Sequence, residues 1–278
     1  MSQRSQRPKL GQNFLVSPTA QADIADALGD LSRRTVVEIG PGRGAITALL
    51  ARRAQRLIAI ELDRDLAPAL TEQFAGQLNV EVLQQDILRT DFAAPPFTSE
   101  EKLLVVGNLP YYITSDILLH LFAAHAVIER AVIMVQREVA DRIAAPPGSS
   151  DYGLLSATTQ IYARVEKLFT LPPSAFSPPP QVHSTVLRLT MAPRFEELQL
   201  TPTPDRADPF PAFIAFLKTC FAQKRKTLSN NLRAAGHEAA GVAAAMAACN
   251  IPPQSRTEQL NLPQMACLYR ALSEGSAG

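Results

Sequence analysis

Apolar and polar positions alternate in two different ways along this chain. In the first two-thirds, short runs rich in Val, Ile and Leu are separated by longer segments whose apolar residues recur every three or four positions. This pattern is typical of an α/β fold with a mostly parallel sheet. The predicted strands are Thr35–Ile39, Leu57–Glu61, Val80–Leu83, Leu103–Val106, Ala131–Gln136, Val165–Leu171 and Ser184–Thr190.

Helical spacing flanks these strands and dominates the end of the chain. A helix is predicted over Ala45–Ala54, and another is predicted to begin near Ser115. Prolines among charged residues between positions 193 and 211 predict a linker. We therefore expect an α/β domain over residues 1–194 and a small helical domain over 195–278. The helices predicted in the second domain are Ala212–Ala222, Lys226–Ala235, Ala239–Cys249 and Leu262–Leu272.

Composition excludes several classes of protein. The chain has 278 residues, is 46% apolar and carries a formal net charge of +1, so a sizeable core is possible and a local basic face remains compatible with nucleic-acid binding. Cys220, Cys249 and Cys267 are widely spaced without a CxxC or CxxH pair. We expect three small buried thiols, no metal site and a reducing, cytoplasmic location. No apolar run reaches the roughly 20 residues that a membrane span needs.

Basic residues concentrate near both ends of the sequence. The N-terminal arm carries three of them before the first acidic residue, Asp23. Lys224, Arg225 and Lys226 are consecutive and lie in a locally basic region. Such residues suit contact with RNA phosphates, although a solvated helix end would have the same composition.

A glycine-rich turn separates the first predicted strand from its helix. Gly40 and Gly42 permit tight turning and close approach of the backbone to a ligand, at the strand end where doubly wound sheets bind nucleotides. Glu61 lies 21 residues after Gly40, at the end of the next strand, where a carboxylate can bind a ribose diol. This pattern fits both NAD and S-adenosylmethionine and leaves the cofactor open.

Two carboxylates favour S-adenosylmethionine. Glu38 precedes the turn on its strand and can reach the amino-acid end of that cofactor directly or through water. Asp86 follows the third strand and can bind the adenine amino group, or it can simply cap a turn. The segment after the fourth strand supplies a third argument.

That segment reads Asn-Leu-Pro-Tyr and suits methylation of an adenine amino group. The lone pair of this nitrogen is delocalised into the ring, and two acceptors for its hydrogens would make it more nucleophilic. The side-chain oxygen of Asn108 and the carbonyl of Pro110 can be those acceptors, because proline fixes the direction of the chain. Tyr111 can stack on the base. Positioning for in-line transfer should supply most of the catalysis.

A second aromatic candidate lies in a proline-rich loop. The prolines around Phe176 stiffen the segment that presents it. A rigid aromatic beside a nucleotide pocket can sandwich a flipped base. The alternative is a buried phenylalanine beneath the loop.

Several segments together carry a family resemblance. The sequence resembles the bacterial small-subunit ribosomal RNA adenine dimethyltransferases (the KsgA/RsmA family), which are related to the erythromycin-resistance methyltransferases. The segments follow the family's order across nearly the whole chain. They are Gly11–Leu15, Glu38–Thr47, Glu61–Asp63, Gln84–Leu88, Asn108–Thr114, Met134–Ile143, Pro172–Leu189 and Gln223–Leu232.

This resemblance implies a class I S-adenosyl-L-methionine-dependent methyltransferase fold with a small helical, RNA-binding C-terminal domain. It implies transfer of four methyl groups to two adjacent adenosines in a hairpin near the 3′ end of 16S rRNA, on an immature 30S subunit; we expect the enzyme to be a monomer. The implied methyl-transfer residues are Asn108, Pro110 and Tyr111, with Phe176 facing Tyr111 across the target base. The implied cofactor-binding residues are Asn13, Leu15, Gly40, Gly42, Glu61, Leu62, Asp86, Ile87 and Asn108.

Two departures and three alternatives stay open at this point. Lys9-Leu10 stands where Arg-Phe is frequent in the family, and Asp116 stands where proline is common. The alternatives are a 23S rRNA methyltransferase that gives macrolide resistance, an RNA-binding assembly factor without catalysis, and an NAD-dependent dehydrogenase.

Overall fold

The computed structural model describes residues 13–200 and 210–274, and a seven-stranded sheet forms its centre. The N-terminal basic arm, Lys9-Leu10 and the middle of the predicted linker lie outside the described residues. The strands are β1 Phe14–Leu15, β2 Thr35–Ile39, β3 Arg56–Glu61, β4 Val80–Gln84, β5 Leu103–Asn108, β6 Ile128–Gln136, β7 Ala163–Leu171, β8 Phe176–Ser177 and β9 Ser184–Met191. The helices are α1 Pro18–Asp26, α2 Thr47–Ala51, α3 Leu66–Gln73, α4 Thr114–Ala123, α5 Arg137–Ala144, α6 Leu154–Tyr162, α7 Phe210–Cys220, α8 Leu228–Ala234, α9 Ala239–Ala248 and α10 Leu262–Glu274.

The order of the strands creates a natural ligand site. The large sheet runs β4-β3-β2-β5-β6-β9-β7, and β2 pairs in parallel with both β3 and β5. The chain therefore reverses its direction of winding between β2 and β5, which is where open α/β sheets bind ligands beyond the strand ends. Strand β6 pairs with β9 in antiparallel orientation, whereas the β2–β3, β2–β5, β3–β4 and β5–β6 pairs are parallel, so the expected mostly parallel seven-stranded sheet is confirmed.

The seven predicted strands all form, but the first predicted helix is shorter than expected. Only Thr47–Ala51 is helical, because the chain turns through Gly44 with φ +78° before it and the helix is capped after it. The side-chain amide of Asn79 donates to the carbonyls of Ala51 and Ala54 at 2.8 and 2.9 Å. A residue far along the chain thus ends the helix, which local periodicity cannot reveal.

Helix α1 and the strands β1 and β8 had no predicted counterpart. Helix α1 begins with Ser17 as its N-cap and proline in the first turn, a favourable start that the pattern of strands obscured. Strands β1 and β8 form a separate two-stranded ribbon in which Leu15 pairs with Phe176. Two residues are too few for an apolar alternation to be recognised.

Two compact units make up the chain, and their division differs from the expected one. The first contains the described residues up to Ala140 together with Arg164–Met191. The second contains Asp141–Ala163 together with the described residues from Ala192 onward. The expected boundary near residue 195 is close to the last of these divisions. Asp141–Ala163 fell within the expected first domain but belongs to the second unit, in which α6 packs against α7.

Within the second unit, aromatic side chains hold the helices together. Tyr152 is fully buried with its ring centroid 6.1 Å from that of Phe221, in an edge-on arrangement. Tyr269 of α10 contacts Phe213 and Phe216 of α7 at 5.5 and 5.4 Å between centroids. Such aromatic pairs contribute stability beyond their buried area. No helix in the described part of the chain is long and apolar enough to cross a membrane.

The expectation of three free thiols is wrong for two of them. Cys249, at the end of α9, and Cys267, within α10, form a disulfide with Cα atoms 5.8 Å apart. Cys220 is a free, buried thiol, and burial raises its pKa to about 12. The two bonded cysteines are 18 residues apart, and only the packing of α9 against α10 brings them together.

Candidate active site

A cavity of about 570 Å³ opens at the carboxyl ends of β2, β3 and β5, where the winding of the sheet reverses. The glycine-rich turn, the ends of three strands and the Asn-Leu-Pro-Tyr segment all contribute to its wall. Eleven of the twelve predicted cofactor and methyl-transfer residues line it, and Phe176 does not. The eleven are Asn13, Leu15, Gly40, Gly42, Glu61, Leu62, Asp86, Ile87, Asn108, Pro110 and Tyr111.

Left-handed backbone at two glycines shapes the turn after β2. Gly40 and Gly42 have φ values of +64° and +59°, which residues with a side chain rarely adopt. A Cβ at Gly42 would also lie 3.0 Å from the ring of Phe14. The turn therefore requires glycine for conformation at both positions and for space at Gly42.

Glu61 ties this turn to the end of β3. Its Oε2 accepts a hydrogen bond from the amide of Gly42 at 3.0 Å, and its Oε1 accepts one from the amide of Asp63 at 2.9 Å. The side chain is buried, so these contacts hold the carboxylate in one orientation at the cavity wall. Each oxygen keeps a second lone pair with which a ligand hydroxyl can be bound.

Glu38 is the most perturbed carboxyl group of the cavity. It is 3% exposed, and its Oε2 is buried without a hydrogen-bond partner. Burial raises the pKa of Glu38 to about 7; the Thr47 hydroxyl opposes that shift, and the charge of Glu61 adds to it. An unsatisfied buried carboxyl group in a ligand cavity suits a cationic or hydrogen-bonding ligand.

Asp86 combines the two roles that the sequence left open. It is the N-cap of a 3₁₀ turn over Ile87–Arg89, and its Oδ1 accepts a hydrogen bond from the amide of Leu88 at 3.0 Å. It also lines the cavity. A cap fixes the position of the carboxylate, and its remaining acceptor capacity can serve a ligand.

The end of β5 orients the amide of Asn108. Its Nδ2 donates to the carbonyl oxygen of Asn13 at 3.2 Å, which leaves Oδ1 as the acceptor end of the group. Gly107 allows the close approach of β2, because a Cβ there would lie 2.9 Å from the carbonyl oxygen of Ile39. One hydrogen bond thus orients the Asn108 side chain, and the close packing of β5 on β2 fixes the backbone next to it.

The carbonyl of Pro110 is held by the residues that follow it. The hydroxyl of Thr114 donates to this oxygen at 3.0 Å, and the amide of Ile113 donates to it at 3.3 Å. Thr114 is 3% exposed at the start of α4. The contacts fix the turn that carries Tyr111, although they also occupy part of the acceptor capacity predicted for the target amine.

Phe176 is not an aromatic of the cavity wall. The side chain is 3% exposed and belongs to the apolar core with Leu15 and Val186. The ribbon between β1 and β8 places it there, so the alternative of a buried phenylalanine beneath the loop describes its position. Phe14, its neighbour on the ribbon, lines the cavity instead, with the guanidinium of Arg43 4.4 Å from its ring centre.

Sequence reasoning missed other parts of the wall. Phe14, Gln21 and Tyr112 line the cavity, and Gln21 Nε2 donates to the carbonyl of Leu15 at 2.9 Å. Phe14 pairs with Ser177 in the β1–β8 ribbon, a contact between residues far apart along the chain. Tyr112 directly follows Tyr111 in the sequence, and this adjacency is the signal that could have identified it.

Lys224, Arg225 and Lys226 belong to the second unit. All three are exposed on the turn between α7 and α8, so the predicted helix from Lys226 begins two residues later, after the N-cap Thr227. Lys224 Nζ donates to the carbonyl of Ser150 at 2.7 Å. A turn can present consecutive basic side chains that one helical face cannot.

The fold and the cavity together define a class I methyltransferase: a mostly parallel seven-stranded sheet whose nucleotide turn shares one cavity with Asn-Leu-Pro-Tyr. The family model described as ribosomal RNA adenine dimethylase matches residues 3–273. The chain belongs to this family and is an enzyme that dimethylates adenine in ribosomal RNA. The dehydrogenase interpretation is therefore excluded.

Two similar proteins carry the name ribosomal RNA small subunit methyltransferase A. The one from Acidobacterium capsulatum is 61% identical over 270 residues, covering 97% of this chain and 92% of its own. The one from Koribacter versatilis is 52% identical over 285 residues, covering 99% and 97%.

Two solved structures have similar folds. The 23S rRNA methyltransferase ErmE is 27% identical with a TM-score of 0.66, covering 94% of this chain and 100% of its own. A dimethyladenosine transferase from Plasmodium falciparum is 24% identical with a TM-score of 0.74, covering 95% and 98%, and supports the fold alone.

Proposed function

We propose that this enzyme transfers methyl groups from S-adenosyl-L-methionine to N6 of two adjacent adenosines near the 3′ end of 16S rRNA, four in total, on immature 30S subunits. The observation that carries the proposal is that the glycine-rich turn with Glu61 and the Asn108–Tyr111 segment line one cavity. The names of the small-subunit relatives support the 16S substrate.

The chemistry of the cavity wall fits this cofactor. Glu61 would bind the ribose hydroxyls with its second lone pairs, and Asp86 would accept from the adenine amine. The orphaned Oε2 of Glu38 would receive the ammonium of the amino-acid end. Gly40 and Gly42 leave room for close approach, and Leu62 offers apolar contact. The cofactor supplies a methyl group already activated by its sulfonium.

The residues at the end of β5 would position the target amine. The oxygens of Asn108 and Pro110 accept from its two hydrogens, and Tyr111 stacks on the purine. As the new N–C bond forms and the S–C bond breaks, positive charge develops on the nitrogen, so both hydrogen bonds strengthen in the transition state. The extra proton then leaves to solvent.

The second unit would provide RNA affinity. Lys224, Arg225 and Lys226 are exposed and have the charge that phosphate contacts need. We propose that the protein acts as a monomer in the cytoplasm, with this turn on the rRNA backbone.

Mass mapping of modified adenosines tests the function. Purified protein, labelled cofactor and immature 30S subunits from cells lacking the protein should give two adjacent dimethyladenosines near the 3′ end of 16S rRNA. Label in isolated 23S rRNA instead would identify a resistance-type methyltransferase. Binding of 30S subunits without label would identify an assembly factor and contradict the proposed activity.

A further inference from the structure

Exposed apolar side chains gather at the mouth of the cavity. Val16 and Leu62 are each 50% exposed, and Tyr112 is 66% exposed. All three line the cavity. Leu62 adjoins the cofactor-binding carboxylate Glu61, whereas Tyr112 directly follows the residue proposed to stack on the target base. The mouth therefore offers a large, flat, accessible aromatic beside the place where the target purine enters.

The backbone beneath Tyr112 is firmly held. The turn Tyr111–Ile113 lies between the buried residues Leu109 and Thr114. Both hydrogen bonds to the carbonyl of Pro110 close this turn. A tyrosine ring on such a turn loses little conformational freedom when it binds a planar partner. Two-thirds of the residue is exposed, so Tyr112 contributes little to the core.

We propose that Tyr112 is a substrate-positioning residue that stacks on the nucleobase adjacent to the adenine held in the cavity. This inference rests on the proposed function. The neighbour of a flipped adenosine is joined to it by a single phosphodiester and must stay near the mouth. Aromatic stacking is tolerant of base identity, and purines present the larger surface.

The proposal gives Tyr112 a role in methylating both adenosines. When either one occupies the cavity, the other is its neighbour and offers a purine to the ring. Tyr111 grips the reacting base, while Tyr112 holds the strand in register. Removal of the ring should therefore weaken productive binding of RNA more than the affinity for cofactor.

Steady-state methylation of immature 30S subunits tests this. Tyr112→Ala should raise KM for the subunits about 5- to 100-fold, the range expected for loss of one stacked base. The cofactor Kd, measured by calorimetry, should stay unchanged. Tyr112→Phe should behave like the wild type, since it keeps the ring. Leu119→Ala is the matched control, because Leu119 is 44% exposed on α4 but does not line the cavity.

A protein–RNA cycle separates stacking from a general loss of binding. When the neighbouring adenosine of the subunit is replaced by uridine, the KM of the wild type for the subunits should rise. The KM of Tyr112→Ala should rise by a smaller factor. An equal increase in KM for the two proteins would overturn the proposal. An unchanged KM of Tyr112→Ala for unaltered subunits would also overturn it.

A fluorescence measurement gives an independent readout. The chain contains no tryptophan, so Tyr112→Trp introduces a single reporter. Its emission should be quenched by unmethylated subunits in the presence of a cofactor analogue. Lack of quenching while the wild type methylates the same subunits would overturn the stacking role alone. Lack of methylation by the wild type would instead contradict the proposed function.

Discussion

The hydroxyl of Thr114 donates a 3.0 Å hydrogen bond to the carbonyl oxygen of Pro110, the oxygen proposed to accept from the target amine. The bond links the first turn of α4 to the Asn-Leu-Pro-Tyr segment that is proposed to carry catalysis. It helps to fix the direction of the carbonyl, whose oxygen also accepts a hydrogen bond from the amide of Ile113, so the target amine would share this acceptor with both donors.

Loss of this hydroxyl should slow methyl transfer. Thr114→Val keeps the shape of the side chain and removes one hydrogen bond, which is worth about 1 kcal/mol, so we expect a roughly fivefold fall in kcat. The cofactor Kd should be unaffected. Thr114→Ser restores the donor and should restore kcat. If Val and Ser variants turn over equally, the hydroxyl does not position the carbonyl.

Asn108→Ala should affect catalysis more strongly. It removes an acceptor for the amine as positive charge develops, and such charge-assisted bonds are worth about 1.5–3 kcal/mol. We expect single-turnover methylation to fall about 10- to 100-fold while the melting temperature changes little. Because Nδ2 also holds the carbonyl of Asn13, cofactor affinity should be measured in parallel. Near-normal single-turnover rates would remove Asn108 from the methyl-transfer step.

Glu38 should make the stability of the ligand-free enzyme depend on pH. Its pKa is about 7 in the folded protein against an ordinary value of 4.5, so the neutral form favours folding. This contribution to the free energy of unfolding is present below pH 4.5 and is lost as the pH rises to 7, a loss of up to about 3 kcal/mol. Glu38→Gln should thus be more stable than the wild type at pH 8 and comparable at pH 4.5.

Chemical denaturation at both pH values provides the measurement. Glu101→Gln, which changes an exposed carboxylate, should leave the pH dependence as it is in the wild type. The cofactor affinity of the wild type should also increase as the pH rises from about 6 to about 7.5 and Glu38 ionises. The cofactor affinity of Glu38→Gln should depend less on pH. Parallel pH profiles for wild type and Glu38→Gln would contradict the raised pKa.

The basic turn should govern salt-dependent RNA binding. Replacing Lys224, Arg225 and Lys226 by Ala removes up to three phosphate contacts, so the slope of log K against log salt should fall by up to about 3. Filter binding to immature 30S subunits measures it. A control with three other exposed basic residues replaced, Arg33, Arg52 and Lys218, has the same change of charge. Equal slopes for the two triple variants would mean that net charge alone matters.

The disulfide should stabilise the second unit. Cys249 and Cys267 close a loop of about 18 residues, for which the chain-entropy contribution is about 3 kcal/mol. A reductant should lower the melting temperature of the wild type and leave that of the Cys249→Ser, Cys267→Ser double variant unchanged. An identical effect of the reductant on both proteins would show that this pair does not contribute.

Long elements with a strong apolar pattern were predictable, because the local sequence shows which of their residues are buried. Strand β2 was predicted with its observed limits, since parallel strands covered on both faces are continuous apolar runs. The cavity was predictable for a related reason: Gly40 and Glu61 end adjacent parallel strands, so their spacing along the chain fixes their proximity.

Features that depend on distant partners were not predictable. The end of α2 depends on Asn79, and the position of Phe176 depends on its pairing with Leu15. The bond between Cys249 and Cys267 depends on how α9 and α10 pack. In each case the determining contact joins residues that the local periodicity of the sequence does not relate.

The inclusion of Asp141–Ala163 in the second unit limits how this protein can be dissected. A fragment that starts at Ala192 would lack α6 and Tyr152, and so would leave part of the packing surface of α7 bare. A chimaera of two relatives with a single junction near Ala192 would take α6 from one parent and α7 from the other. The hydrophobic core of the second unit would then combine side chains from two different proteins. Exchange of the whole second unit between such enzymes therefore requires transplanting two separate stretches of sequence at once.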